Sequence, residues 1–279
     1  MAVDPSLISG SEATALRDSI KKCGGAGLRP LEENLVDIVW GSSRPDRPNQ
    51  PITSHPDNFA GKSVEQKLRQ VRDFMAKKNT PLLAISTLDD IAWLFNLRGA
   101  DIPFNPVFFS YAVVTEHSAI LYILESKVST ECRDHLRLSG VEVRPYDTAL
   151  SEFQGFSKDL LRSHEISDGT LSTRFFISDK ASWAVKLAFG GDETVEEGCN
   201  PVSEFKAVKN SVEISGMRAC HVRDGAALVE FLAWLEDQLV TKRTSLDEVA
   251  AADKLEQLRA KQKYFMGLAF PTISAAGAK

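Results

Sequence analysis

The sequence predicts an α/β fold, with a mixed β-sheet flanked by helices over Ile52–Val202 and a helix-only segment after it. Three observations carry this. Helical apolar periodicity and short β-rich runs alternate between Ile52 and Val202; two neighbouring β-rich runs stand at hairpin spacing, which makes the sheet mixed rather than purely parallel; and beyond Ser211 the apolar residues recur only at helical intervals.

Taken in order, Ser11–Cys23 reads as a short peripheral helix with Ala13, Leu16, Ile20 and Cys23 on one side and Gly24-Gly25 as its stop. After Asn34–Trp40, the run Arg44–Pro51 holds Pro45, Pro48 and Pro51, which forbid continuous helix and favour an extended interdomain linker. Ser63 and Gln66 form a capping box, and Val64, Leu68, Val71 and Met75 set an apolar stripe on the helix that follows. Pro81–Ser86 is a short buried strand, after which Thr87 and Asp90 cap a helix carrying Leu88, Ile91, Ala92 and Phe95. Phe108–Thr115 and Ala119–Leu124, parted by Glu116-His117-Ser118, make the hairpin. Val141–Tyr146 and Arg174–Ile177 add strands, and Thr130–Leu138, Ala149–Ser163 and Asp179–Phe189 add helices.

From Ser211 on, Ile214, Met217, His221, Leu228, Phe231, Leu232, Leu235 and Leu239 predict one long helix despite Gly216 and Gly225. Ser245 and Glu248 form a capping box for another helix through Val249, Leu255 and Leu258, and Tyr264–Ser274 reads as the entry to a strand.

Composition bounds the function. A chain of 279 residues with 43% hydrophobic side chains can bury one or two ordinary cores. The net charge of -5 gives no broad positive field, so a nucleic-acid partner is not expected. The basic pairs Lys21-Lys22 and Lys77-Lys78 fall at helix ends, where cations complement the dipole. Apolar stretches such as Ala119–Leu124 are far short of the ~20 residues a membrane helix needs. No secretory signal pattern opens the chain, so the expected address is the cytoplasm. Cys23, Cys132, Cys199 and Cys220 lie far apart without Cys-x-x-Cys spacing and read as reduced thiols.

No His-Glu-x-x-His, Gly-x-Ser-x-Gly, Walker A or Gly-x-Gly-x-x-Gly pattern occurs, and neither catalytic nor metal-ligating residues are assigned. Asp89-Asp90 reads either as paired catalytic carboxylates or as acids satisfying the N–H groups of a helix start, and its place after Thr87 favours the second. His55, His117, His135, His164 and His221 are scattered, none at helical ligand spacing from another. The most informative stretch is Asn96–Phe108: Gly99 permits unusual backbone angles, Pro103 and Pro106 stiffen it, and Arg98, Asp101 and Asn105 are polar groups between apolar elements. It is either a rigid loop pinned by an Arg98–Asp101 contact or a substrate-binding, cleft-facing loop.

At this loop, Leu88-Asp-Asp-Ile-Ala-Trp-Leu-Phe-Asn-Leu-Arg-Gly-Ala-Asp-Ile-Pro-Phe-Asn-Pro-Val-Phe-Phe-Ser-Tyr-Ala resembles the middle domain of the aminopeptidase P (Xaa-Pro aminopeptidase) family. Glu33-Asn-Leu-Val-Asp-Ile-Val-Trp-Gly with the following Arg-Pro-Asp-Arg-Pro, the run from Lys206-Ala-Val-Lys-Asn-Ser-Val-Glu through Gly216-Met-Arg-Ala-Cys-His, and Phe270-Pro-Thr-Ile-Ser are similar to the same family in the same order. The resemblance implies creatinase N-terminal-type domains followed by a pita-bread catalytic domain holding two metal ions, usually manganese. Residues 1–51 would be the end of the first N-terminal domain and the linker, 52–202 the middle domain, and 203–279 the opening helices of an incomplete pita-bread domain.

The family's ligands, two aspartates, a histidine and two glutamates, have no matching positions here, nor has its first-domain active-site arginine. The resemblance therefore implies a chain that stops before the first active-site histidine and is inactive alone. The complete enzyme would act on peptides with proline second, and the family commonly forms homodimers. The rival expectation is a non-enzymatic α/β interaction or oligomerisation module.

Overall fold

Leu82–Ile85 sets the architecture, because four consecutive apolar residues can all be buried only in a strand covered on both faces. In a computed structural model, which describes residues 1–165 and 174–278, helices lie on both sides of it. The elements run β1 (Ala2–Val3), α1 (Gly10–Lys22), β2 (Arg29–Pro30), α2 (Leu35–Trp40), β3 (Thr53–Ser54), α3 (Asp57–Ala60), α4 (Val64–Lys78), β4 (Leu82–Ile85), α5 (Leu88–Leu94) and β5 (Leu97–Arg98). They continue with β6 (Ser110–Thr115), β7 (Ala119–Ile123), α6 (Thr130–Leu138), β8 (Val141–Pro145), α7 (Ala149–Glu165), β9 (Phe175–Ser178), α8 (Trp183–Ala188), β10 (Val195–Gly198), α9 (Pro201–Ala207), α10 (Ser211–Glu236) and α11 (Glu248–Ala260).

The chain divides into two compact units, the first comprising Met1–His55, Lys62–Asp101 and Val107–Val208. Its sheet has the order β10-β9-β4-β6-β7-β8. β6 is antiparallel to both β4 and β7, while β10, β9 and β4 run parallel, as do β7 and β8. The sheet is thus mixed, as the hairpin spacing requires. Side chains alternate faces along each strand. Leu83, Ile85, Ala112, Val114, Leu121 and Ile123 face one apolar cluster, shared with Val64, Leu68, Val71 and Met75 of α4 and with Ile91 of α5. Leu82, Ala84, Val113, Ile120 and Tyr122 face the other, shared with Phe153 of α7 and Val185 of α8.

Local signals fix the helix ends. Ser63 and Gln66 form the expected capping box of α4, and Asn79 ends that helix in a left-handed conformation at φ +51°. Arg44–Pro51 is extended and exposed throughout. Sequence reasoning missed β10 and α9, as well as the short elements β1, β2, β3, α3 and β5. It also overextended α8: Asp179–Ala181 is a turn held by Ala181 N–H on Ser178 O (2.9 Å), and Ser182 is the N-cap.

The second unit comprises Pro56–Gly61, Ile102–Pro106 and Lys209–Lys279. α10 starts at a capping box in which Asn210 and Glu213 each bond the other's backbone N–H. Arg259 of α11 pairs with Asp224 of α10 at 2.7 Å. The expected Ser245 cap is corrected: Asp247 accepts the Ala250 N–H at 2.7 Å, one residue before the helix and so in the N-cap position. Tyr264–Ser274 forms no strand, and Tyr264, Met266, Phe270 and Ile273 are exposed. No helix among the described residues is long and apolar enough to cross a membrane.

Candidate functional site

The loop singled out by sequence begins where β5 ends. β5 pairs antiparallel with β3, Leu97 opposite Ser54 and Arg98 opposite Thr53, and His55 N–H donates to Asn96 O at 2.7 Å. Arg98 is half-buried and its Nη1 donates to Leu97 O at 2.8 Å. Asp101 is buried: its N–H donates to Val107 O (3.0 Å), its Oδ2 accepts the Phe109 N–H (2.7 Å), and its carboxylate pairs with the Lys127 ammonium. The expected pin is therefore corrected in its partner. Asp101 is held by Lys127, not by Arg98, because Lys127 reaches it from the turn Glu125–Lys127 at the end of the hairpin.

Gly99 is also needed for a different reason from the one expected. Its φ is not positive; rather, a Cβ there would lie 2.9 Å from Val107 O and 2.8 Å from Phe108 Cβ, so only a hydrogen fits where the two arms of the loop meet. Asn105 lies exposed in a tight turn in which its N–H donates to Ile102 O at 3.1 Å and Phe104 takes φ +64°. Arg98 and Asp101 thus have separate partners, and Asn105 shapes a turn.

A second polar cluster was read correctly for Asp89, whose carboxylate accepts backbone N–H groups at the start of α5, but not for Asp90. Asp90 is fully buried rather than serving a helix start. Its Oδ2 accepts from Asn200 Nδ2 (2.8 Å) and Ser203 Oγ (2.6 Å), and its Oδ1 pairs with Lys206 at 2.7 Å. Lys206 also pairs with the half-exposed Asp89. These partners lie in and just before α9, the helix the sequence reading missed, so its burial could not be foreseen; Asn200-Pro201, an N-cap followed by proline, was the available signal. Burial opposes ionisation of both Asp89 and Lys206, but their mutual contact prevails, lowering the Asp89 carboxyl below its usual range and raising the Lys206 ammonium. Every charge here is answered, so the cluster locks α9 against α5 and offers no free nucleophile or base.

A third buried group is Lys67, whose Nζ donates to Trp93 O (2.7 Å) and Asn96 Oδ1 (2.5 Å) and sits 4.0 Å from the Trp93 ring centre. It fixes the turn that leads into β5. His135 contacts Phe95 O at 2.9 Å, while His117 and His221 are exposed; the His164 side chain lies outside the described residues. Cys132 is buried and Cys23, Cys199 and Cys220 are exposed, all as free thiols. Two open hollows of about 620 and 550 Å³ lie beside the start of α1 and beside α2, away from Arg98, Asp101 and Asn105. Among the described residues no three His, Cys, Asp or Glu side chains are grouped so that they could hold a metal ion.

Comparison with known proteins places these features. The model of the creatinase/prolidase N-terminal domain matches residues 43–213. Over the whole chain the sequence is 57% identical to a probable Xaa-Pro aminopeptidase P of Metarhizium acridum and, over 278 residues, 53% identical to one of Fusarium vanettenii. In each case this chain spans 45% of the relative's length. The crystal structure of the X-prolyl aminopeptidase from Caenorhabditis elegans, described as a cytosolic enzyme with a di-nuclear active site, superposes with a TM-score of 0.88 at 32% identity. That match covers 98% of this chain and 43% of the nematode chain. The chain belongs to the creatinase/prolidase N-terminal domain family, and along its whole length it is similar to part of proteins named Xaa-Pro aminopeptidase P.

Proposed function

We propose that this chain is a part of a metal-dependent Xaa-Pro aminopeptidase, its middle domain with flanking stretches on either side, and that the complete enzyme hydrolyses the bond between an N-terminal residue and a following proline. The observation that carries the reading is the 57% identity along all 279 residues to a relative of that name. On this reading residues 1–51 end a first domain, 52–202 form the middle domain, and 203–279 open a pita-bread catalytic domain. The two metals, manganese by resemblance to the family, are bound by residues outside this sequence, and the complete enzyme is a cytoplasmic homodimer.

A dinuclear centre supplies the nucleophile and Lewis acidity for such an amide cleavage. This chain supplies position, with the loop Arg98–Asn105 facing the cleft. Holding the peptide in a reactive geometry is a large part of such a barrier, so a loop that only orients substrate still governs turnover. The alternative, a stand-alone interaction module, draws on the exposed Met217, Leu228, Leu232 and Leu239 along α10 and the turn after it.

Two experiments separate these readings. Calorimetric titration of the 279-residue chain with Mn²⁺ and an assay on an Xaa-Pro tripeptide are expected to give neither stoichiometric binding nor release of the first residue; metal-dependent turnover would refute the placement of the ligands. In a full-length protein carrying this region, Arg98→Ala is expected to lower peptide turnover far more than it lowers the melting temperature. A loss of turnover merely proportionate to lost stability would leave the loop a structural role.

A further inference from the structure

Lys127 is 2% exposed, at the end of a short turn where a lysine would ordinarily reach water. Its ammonium pairs with Asp101, whose side chain is 0% exposed. The second carboxylate oxygen of Asp101, Oδ1, takes no hydrogen bond from the described residues, so the buried charge is neutralised chiefly by this one cation. The same aspartate joins both arms of the loop, through its N–H on Val107 O and its Oδ2 on the Phe109 N–H. On its main-chain side Lys127 does a second thing: its carbonyl accepts the Ile52 N–H at 3.0 Å, and the neighbouring Ser126 Oγ bonds Asn49 Oδ1 at 2.8 Å. The end of the extended segment and the base of the loop therefore meet at one residue.

We propose that Lys127 is a positioning residue, the tether that sets the base of the loop, Arg98–Asp101 and Val107–Phe109, in register with the end of the extended segment at Ile52. Its part in the reaction rests on the proposed peptide-binding role of the loop. A buried ion pair contributes little net stability over an apolar pair of similar volume. What it adds is direction, since an ammonium answering a carboxylate that also accepts a backbone N–H has one arrangement, whereas apolar side chains have several.

The test compares amide hydrogen exchange in the wild-type chain, Lys127→Met, and the double variant Asp101→Asn/Lys127→Met. The double variant keeps an acceptor for the Phe109 N–H and leaves no lone buried charge. In both variants the Asp101, Phe109 and Ile52 amides are expected to exchange at least about tenfold faster, with the Leu83 and Val113 amides of the sheet unchanged. Should the single variant fail to fold, the double variant decides alone. Wild-type protection of the three amides in the double variant overturns the proposal. So does a uniform loss that includes Leu83 and Val113, since the pair would then hold the core instead. In a full-length protein the double variant is expected to lower kcat/KM on an Xaa-Pro peptide about tenfold at an unchanged melting temperature. Accelerated exchange with unaltered kcat/KM would overturn the part in the reaction while leaving the tether in place.

Discussion

The six-stranded sheet and the α10–α11 pair are both rich in apolar residues, yet they use them differently. Leu83, in the middle of the sheet, is 0% exposed, and helices cover it on one face while its neighbours Leu82 and Ala84 are covered on the other. Along α10 Ala227 is the buried residue, whereas Leu232 is 53% and Val229 68% exposed. Apolar content alone does not make a core. A strand buries everything when two layers close on it, while a helix pair buries only the seam it shares, here Ala227, Leu255 and Leu258.

The sharpest way to break this comparison is truncation of one leucine from each region. Leu83→Ala is expected to cost about 2–5 kcal/mol, from lost transfer energy and the cavity left, whereas Leu232→Ala is expected to stay within about 0.5 kcal/mol. Urea unfolding followed by circular dichroism measures both, and equal losses would show that the α10 stripe is buried in solution, as in a self-associated form. Consistent with the difference, α10 amides are expected to exchange faster than those of β4.

Smaller effects test local devices. Gly99→Ala forces a methyl group against Val107 O and Phe108 Cβ and is expected to cost about 1–3 kcal/mol, read as a lower melting temperature. Asp247→Ala removes the cap of α11 and is expected to cost about 1 kcal/mol, while Ser245→Ala costs nothing measurable. If the serine change is the costly one, the cap lies where the sequence pattern first placed it.

Legibility followed the range of the interaction. The Ser63–Gln66 box, the α4 stripe and the hairpin were readable because each depends on residues within one or two turns of one another. The role of the loop was half readable. Its proline and glycine content marked a rigid excursion, but Asp101 is answered by a lysine 26 residues on, and Asp90 by side chains at least 110 residues on. Nothing local in Asp89-Asp90 tells the exposed acid from the buried one. The two differ only by which way the helix is turned once α9 arrives. The cap of α11 shows the converse: Ser245 and Asp247 both stand before a helical run, and one residue of phase decides between them.

The least effect is expected from Asp89→Asn, and its value lies in the sign. Asp89 and Lys206 face each other at a half-exposed position, so their contact is worth at most about 1 kcal/mol at moderate salt. The Asp89 carboxyl is held below its ordinary value of 3.8; its contribution is therefore complete above that value and is lost as pH falls through the lower folded one. The Lys206 ammonium is raised above 10.5, so its contribution is complete below that value and is lost only as pH rises through the higher folded one. At neutral pH both are in full. Replacing Asp89 leaves Lys206 still paired with the buried Asp90, so neutral stability should fall only slightly. The acid limb of the stability curve should flatten below the ordinary carboxylate range, and the alkaline limb should begin at lower pH, because the lysine has lost one of the two anions that raise it. Melting temperatures across that range, wild type against Asp89→Asn, decide the matter. A large neutral loss would mean that Asp89, and not Asp90, is the carboxylate that holds α9 in place.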